Sequence, residues 1–272
     1  MKLGKSIIFV MKDIIMPLLN MTAWRMDAPK LFGGFQIFAS LAAAAAAVLL
    51  AAFVSGKEKK DTARILAVTG WILVLLEIWK QLFLFYIVNN GAYDWWYFPF
   101  QLCSVPMYLC ILLPLTCKRI RRTFMTFLGG YAFVSAAATL IYPEDILRSY
   151  TALTVHGFVW HGLLLLISLV VLHTGSADTS ARGLLRASVL FAILCGIAVG
   201  INMLAEPIMQ AAPGLPHSWA AMFYLNPYHL SPQPLVGTIQ KTAGIPAGLL
   251  LYSIAVAAAG SIAARLLNKS VR

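Results

Sequence analysis

Long apolar stretches separated by short polar ones dominate this chain, and seven of them approach the ~20 residues a helix needs to cross the hydrocarbon of a bilayer. They run Phe32 to Val54, Ala63 to Val88, Phe98 to Thr116, Thr123 to Tyr142, Tyr150 to His173, Leu184 to Leu204, and Pro246 to Leu267. The third and fourth are the shortest. Ahead of them, Ile7, Ile8, Met11, Ile14, Ile15 and Leu18 recur at helical spacing, with Lys2, Lys5 and Lys12 off that stripe. This predicts an N-terminal helix lying in the membrane interface. Lys12 and Asp13 interrupt its apolar run and no small-residue cleavage pattern follows, so it does not read as a signal peptide.

Ala205 to Ile245 is too long for an ordinary connection and mixes six prolines with Trp219, Phe223, Tyr224 and Tyr228, which predicts an amphipathic lid on the outer surface. The expected fold is all-α, a polytopic membrane helix bundle forming one domain over residues 1–272. An interfacial segment occupies 1–31, six spans 32–204, the lid 205–245 and the seventh span 246–267. No internal repeat is evident, and the alanine run at 42–47 suits close helix packing.

Basic residues orient these spans. Lys57, Lys59, Lys60 and Arg64 flank the first connection, Lys118, Arg119, Arg121 and Arg122 the third, Arg182 and Arg186 the fifth, and Arg265, Lys269 and Arg272 the tail. All four groups fall on one side, which is then cytoplasmic. The other connections are poor in Lys and Arg, and Asp94-Trp95-Trp96-Tyr97 supplies an interfacial aromatic belt. The protein is therefore expected in the plasma membrane with its N-terminus outside and C-terminus cytoplasmic. Lys2, Lys5, Lys12, Arg25 and Lys30 run against that rule at the N-terminus.

Composition agrees: 60% of residues are hydrophobic and 11% charged, where a soluble domain carries about a quarter charged residues. The net charge of +11 arises from short segments between apolar runs and makes no continuous basic face, so nucleic acid is not an expected partner. Membrane lipids are, and a homo-oligomer is compatible with the sequence. Cys103, Cys110 and Cys117 repeat at seven, a rise of ~10.5 Å on a helix, too far for neighbours to share a disulfide or metal. No metal or cofactor is expected.

An ionisable side chain at membrane depth costs at least a few kcal/mol and is a functional candidate by default. The candidates are Glu77, Lys80 and Gln81 on the second span, Gln101 and Cys103 on the third, His156 and His161 on the fifth, and Asn202 with Glu206 at the end of the sixth. Helical rise places Cys103 and His156 roughly 8 to 9 Å below the outer boundary, and His161 and Glu77 roughly 16 Å below it. Polar groups from four helices thus converge on the outer half, as for a site beneath a lid. Pro99 suits the first turn of a helix and would set the Cys103 thiol near its N-terminus. Pro106 would leave the Leu102 carbonyl without its usual partner, and an imidazole taking the thiol proton would make a nucleophile. Against this, a cysteine in a membrane helix is most often a small packing residue, and Glu77 with Lys80 at i, i+3 is as readily an internal ion pair.

Leu76-Glu77-Ile78, Pro99-Phe100-Gln101-Leu102-Cys103-Ser104, Trp160-His161-Gly162-Leu163, Gly200-Ile201-Asn202 and the stretch from Tyr224-Leu225-Asn226 to Gly244-Ile245-Pro246 occur in this order. In order and spacing the chain resembles the YwaF group of bacterial membrane proteins and their animal relative, transmembrane protein 164. That relative is regarded as a phospholipid acyltransferase with a cysteine nucleophile and a histidine partner. The resemblance implies Cys103 as nucleophile and His161 as base. The sequence departs from the pattern at Gln101, where a histidine is common.

Three readings follow. The first is an intramembrane acyltransferase or lipid hydrolase, with Cys103 attacking a phospholipid ester, His161 or His156 relaying the proton, and Glu77 or Asn202 orienting the histidine or the carbonyl. The second is a transporter or lipid-binding protein with a polar site around Glu77 and Lys80, and Gln81 and Gln101 nearby. The third is a structural protein holding a partner helix. Residue chemistry leaves the three close, and the resemblance puts the enzyme first.

Overall fold

The structure is a computed structural model that describes residues 14–55, 62–211 and 214–270. Nine α-helices follow one another among these residues: α1 (Met16–Asn20), α2 (Gly34–Ser55), α3 (Thr62–Phe83), α4 (Val105–Leu112), α5 (Lys118–Ile141), α6 (Thr151–His173), α7 (Ala181–Gln210), α8 (Pro234–Ala243) and α9 (Ile245–Ser270). Six of them, α2, α3, α5, α6, α7 and α9, are long and apolar enough to cross a membrane. Its 22 residues let α2 span about 33 Å, against ~30 Å of hydrocarbon. The chain is a polytopic, multi-pass helical bundle.

The central helices are α5 and α6, whose positions are mostly buried, while few positions of α2, α3, α7 and α9 are. Exposed Phe38, Phe53, Leu204 and Leu250 make an apolar outer surface that suits lipid. Small residues let the helices approach. A Cβ added to Gly130 on α5 would stand 2.1 Å from the carbonyl oxygen of Gly260 on α9, and Gly162 on α6 rests on Ala43 of α2. Tyr131 stacks between Phe127 and Phe191 and donates to the Ser188 hydroxyl at 3.0 Å, so its phenol is satisfied at this packed centre.

Contacts show which helix ends lie together. Phe32 meets Tyr142, Ser40 donates to the Leu140 carbonyl, and Gln81 donates to the Tyr97 carbonyl. Residues 24–26 pair with 149–151 through Met26 N–H to Ser149 O and Thr151 N–H to Trp24 O, both at 3.0 Å. The starts of α2 and α6 and the ends of α3 and α5 therefore share one end of the bundle. At the other end the Asp178 amide donates to Thr126, tying the start of α5 to the α6–α7 connection. The interfacial N-terminal helix falls largely on residues 1–13, outside the described residues. Its described remainder, α1, buries Leu19 against Phe83, Leu84 and Leu153.

The predicted third span is not a continuous helix. Phe98 to Ser104 is irregular, and only Val105–Leu115, the eight residues of α4 and a 3-10 turn, is helical. The segment still descends the bundle antiparallel to α3: Tyr97 lies beside Gln81, and Cys110 touches the Gly70 position. Non-helical backbone at membrane depth is tolerated where protein or a cavity covers it, and both apply here. Gln81 holds the Tyr97 carbonyl at 2.6 Å, Tyr108 the Pro99 carbonyl at 2.6 Å, and Trp160 the Cys103 carbonyl at 3.1 Å. Pro106, rather than Pro99, occupies the first helical turn. Side chains thus take the carbonyls of Tyr97, Pro99 and Cys103 along this stretch.

Two boundaries also move around the predicted lid. The sixth long helix, α7, runs on to Gln210 with Pro207 inside it. Beyond it, Ala220, Ala221, Met222, Phe223, Leu225 and Asn226 are buried. This stretch enters the bundle as a plug instead of resting on its surface, and the amphipathic part is the short helix α8.

Candidate functional site

A cavity of about 590 Å³ opens beneath the plug, within the range of ligand sites. Its walls are largely apolar and come from α3, the irregular descent, α5, α6, the plug, α8 and α9. Cys103, Gln101, Lys80, His156 and His161 all face it, as do Trp160, Asp145, Arg148 and Tyr224. Of the residues singled out in the sequence, Glu77, Gln81, Asn202 and Glu206 lie outside its lining.

Cys103 owes its place to the break in the third span. Its main chain sits two residues before α4 begins, in a turn where Ser104 N–H bonds to Gln101 O at 2.8 Å. The Trp160 indole then clamps it to α6, next in chain to His161. All four cysteines are free.

The two histidines differ. His161 is buried, and its Nδ1 lies 2.8 Å from the Gly157 carbonyl, one helical turn back. A carbonyl oxygen only accepts, so Nδ1 carries the proton of the neutral ring and Nε2 keeps its lone pair. That Nε2 is buried without a partner. His156 instead donates from Nε2 to the Leu76 carbonyl at 3.2 Å and stacks between Trp79 and Trp160, with ring centroids 5.7 and 5.6 Å away. It is built into the α3–α6 contact, whereas His161 offers a free base.

Glu77 is buried beside the cavity wall. Its Oε1 accepts from Lys80 Nζ at 2.8 Å and from Gln81 Nε2 at 2.7 Å, while Oε2 has no partner. The carboxylate thus holds Lys80, which lies 6.0 Å from the Trp160 ring, and Gln81, which anchors Tyr97 at the top of the descent.

The two remaining amides hold the plug. Gln101 donates to Ala221 O at 3.0 Å and accepts from Phe223 N–H at 2.9 Å. Asn202 donates to Met222 O at 3.1 Å and accepts from Met222 N–H at 2.6 Å. Together they satisfy consecutive main-chain groups of a buried turn in which Phe223 and Tyr224 adopt φ of +54° and +57°. Each amide thus spends one donor and one acceptor on the backbone of the plug.

Several groups at the site escaped sequence reasoning. Tyr224 donates to Asp145 across the cavity mouth, and burial together with that carboxylate pushes its phenol well above the ordinary value. Arg148 is also on the wall, its one signal in the sequence being a basic residue on a side otherwise poor in them. Above the plug, His217 pairs with Asp94 at 2.8 Å and His229 with Glu206 at 2.6 Å. Trp96 stacks on His217, Trp219 on His229, and the two indoles meet edge to face at 5.2 Å. This ladder fastens residues 217–229 to the outer loop and to α7. Both histidines sit in irregular chain, where no periodicity could mark them.

Neither the curated proteins nor the solved structures contain a match to this chain. The model of the TMEM164 family matches residues 31–259, which takes in the broken span, both cavity histidines and the plug, and the chain belongs to the TMEM164 family.

Proposed function

We propose that the protein is an intramembrane acyltransferase or lipid hydrolase that uses Cys103 as nucleophile and His161 as base on phospholipid acyl chains. The observation that carries this reading is the unpartnered, buried Nε2 of His161 in the same apolar-walled cavity as the Cys103 thiol. In the first half-reaction His161 Nε2 takes the thiol proton and the sulfur attacks the ester carbonyl. A C–S bond forms, the ester C–O bond breaks, and the departing alkoxide recovers the proton from the imidazolium. A lipid hydroxyl or water then attacks the thioester, giving its proton to His161 and returning the thiol. Lys80, held by Glu77, places a positive charge beside the site where an oxyanion develops. His156 positions α3 against α6. The bacterial YwaF group is the branch of the family with which the sequence motifs group this chain.

The same reading places the protein in the plasma membrane, cavity toward the outer leaflet. Lys118, Arg119, Arg121 and Arg122 start α5, and the Asp178–Thr126 bond gathers the start of α7, with Arg182 and Arg186, at that end, opposite the plug. The positive-inside rule makes that end cytoplasmic.

The deciding experiment incubates purified protein with a phospholipid carrying a labelled acyl chain and looks for a hydroxylamine-sensitive adduct by intact mass. The adduct is expected in wild type, absent in Cys103→Ala and strongly reduced in His161→Ala. Acyl transfer that persists in Cys103→Ala would refute the assignment. A second reading, lipid or solute binding at the Glu77–Lys80 pair without chemistry, draws on the unpartnered Glu77 Oε2. It predicts transport or binding lost in Glu77→Gln and retained in Cys103→Ala.

A further inference from the structure

The cavity lining carries three ionisable groups of fixed sign, and two of them are already matched. Lys80 is neutralised by Glu77 at 2.8 Å. Asp145 accepts a hydrogen bond from the Tyr224 hydroxyl. The third, Arg148, has no carboxylate at ion-pair distance among the described residues. Its one side-chain hydrogen bond runs from Nη1 to the Tyr97 hydroxyl at 2.7 Å, and the guanidinium lies 5.0 Å from the Tyr97 ring centroid. Its main chain is pinned on both sides by Thr154, which accepts from Arg148 N–H at 2.9 Å and donates to Arg148 O at 3.1 Å. This is a fixed cation on the wall of an apolar cavity, with most of its five N–H donors uncommitted.

Position sharpens the point. Arg148 precedes α6, outside the helical spans, whereas His161 lies ten residues into α6, about 15 Å further along its axis. One cavity therefore runs from a cation outside the helical spans to a buried imidazole and is lined by a thiol as well, the same order in which a phospholipid presents its phosphate and its acyl chains.

We infer that Arg148 is the headgroup contact of this cavity, binding the phosphodiester of a phospholipid through its free guanidinium N–H groups and so selecting phospholipids over uncharged diacylglycerols. Two parallel N–H to oxygen bonds give a guanidinium this preference for a phosphate, which the point charge of a lysine reproduces only in part. Tyr97 holds the fork in place from below. The inference deepens the reading of this site as one for phospholipids and rests on it.

The test uses Cys103→Ala protein in detergent, so that no lipid is consumed, and titrates brominated-chain phosphatidylcholine and brominated-chain diacylglycerol, read by quenching of tryptophan fluorescence. With Arg148 present, the phospholipid is expected to bind about tenfold more tightly. Adding Arg148→Ala abolishes that preference while leaving diacylglycerol binding unchanged, and Arg148→Lys keeps part of it. Equal affinities for the two lipids with Arg148 in place, a comparison that needs no change at that position, would overturn the inference. So would a preference undiminished in Arg148→Ala. Phospholipid displaced by millimolar inorganic phosphate, with diacylglycerol unaffected, would assign the site to the free anion instead. Selectivity without a thioester in wild type would end the enzyme reading and leave this one; a thioester without selectivity would do the reverse.

Discussion

The Trp160 indole donates a 3.1 Å hydrogen bond to the main-chain carbonyl of Cys103. It joins the one irregular crossing to the helix that carries both cavity histidines, and it uses a carbonyl that α4 cannot pair. The indole thereby sets where the thiol stands relative to His161. Trp160→Phe keeps a ring between His156 and Lys80 but removes the donor. Loss of the bond to a buried acceptor costs about 1–3 kcal/mol. Thioester formation is expected to slow by about tenfold or more, with the helical circular dichroism unchanged; an unaltered rate would show that the clamp is not needed.

The unlike hydrogen bonding of the two histidines predicts unlike substitutions. General acid–base catalysis contributes ~10²- to 10⁴-fold, so His161→Ala should lose that much in acylation rate. His156→Phe preserves the stack with Trp79 and Trp160 and loses only the bond to Leu76 O. It should reduce the thermal midpoint more than the rate. Equal rate losses in the two variants would contradict the assignment of roles.

Plug retention can be read amide by amide. Gln101→Leu strips Phe223 N–H of its acceptor and leaves Ala221 O with Tyr224 N–H alone, while Asn202→Leu strips Met222 N–H and leaves Met222 O with Leu225 N–H alone. Hydrogen exchange of the 221–224 segment should accelerate by about tenfold for each ~1.4 kcal/mol lost. Unchanged protection in both variants would mean that apolar contacts alone hold the plug.

Two glycines in long helices should respond in opposite ways. Gly130→Ala drives a methyl group into the α9 backbone and is expected to destabilise the bundle by about 1–3 kcal/mol. Gly196→Ala meets nothing within 4 Å and should gain up to about 1 kcal/mol from helix propensity. Unfolding in a mixed-detergent titration compares them directly.

At the other end of the bundle, Asp178 is held below the ordinary carboxylate range, first by the Ser180 hydroxyl and then by that residue's amide and Arg186. A depressed folded-state pKa contributes stability above the unfolded value of about 3.9, and the contribution disappears as pH falls through the folded value. Wild type should therefore be more stable than Asp178→Asn at neutral pH, and the gap should close on acidification below about 4. A gap that widens in acid would reverse the sign argument.

Apolar length alone made the bundle legible: six of the seven predicted spans are helices that begin or end within several residues of the predicted bounds. The third was misjudged because Pro99 and Pro106 both suit a first helical turn. Choosing between them takes Gln81, Tyr108 and Trp160, which arrive from elsewhere and hold the non-helical backbone. Cys103, His156 and His161 were visible as chemistry-bearing groups in apolar runs, and the cavity unites them. Gln101 and Asn202 looked equally promising, yet a polar side chain at membrane depth answers either a ligand or stray backbone, and sequence does not distinguish the two. The burial of residues 220–226 was hidden for a related reason, since proline-rich apolar chain reads alike on a surface and in a core.

The short α4 bears on how the molecule is assembled. Residues 98–104 expose main-chain donors and acceptors that hydrocarbon cannot solvate, so this crossing is not stable as a lone rod in lipid in the way that α2 is. It is expected to settle only once α3 and α6 are in place to receive it, since Gln81 and Trp160 hold its carbonyls. The Cys103 sulfur would then be among the last parts of the protein to reach its place, and lesions in α3 or α6 far from it are expected to surface as failures of insertion and turnover by quality control.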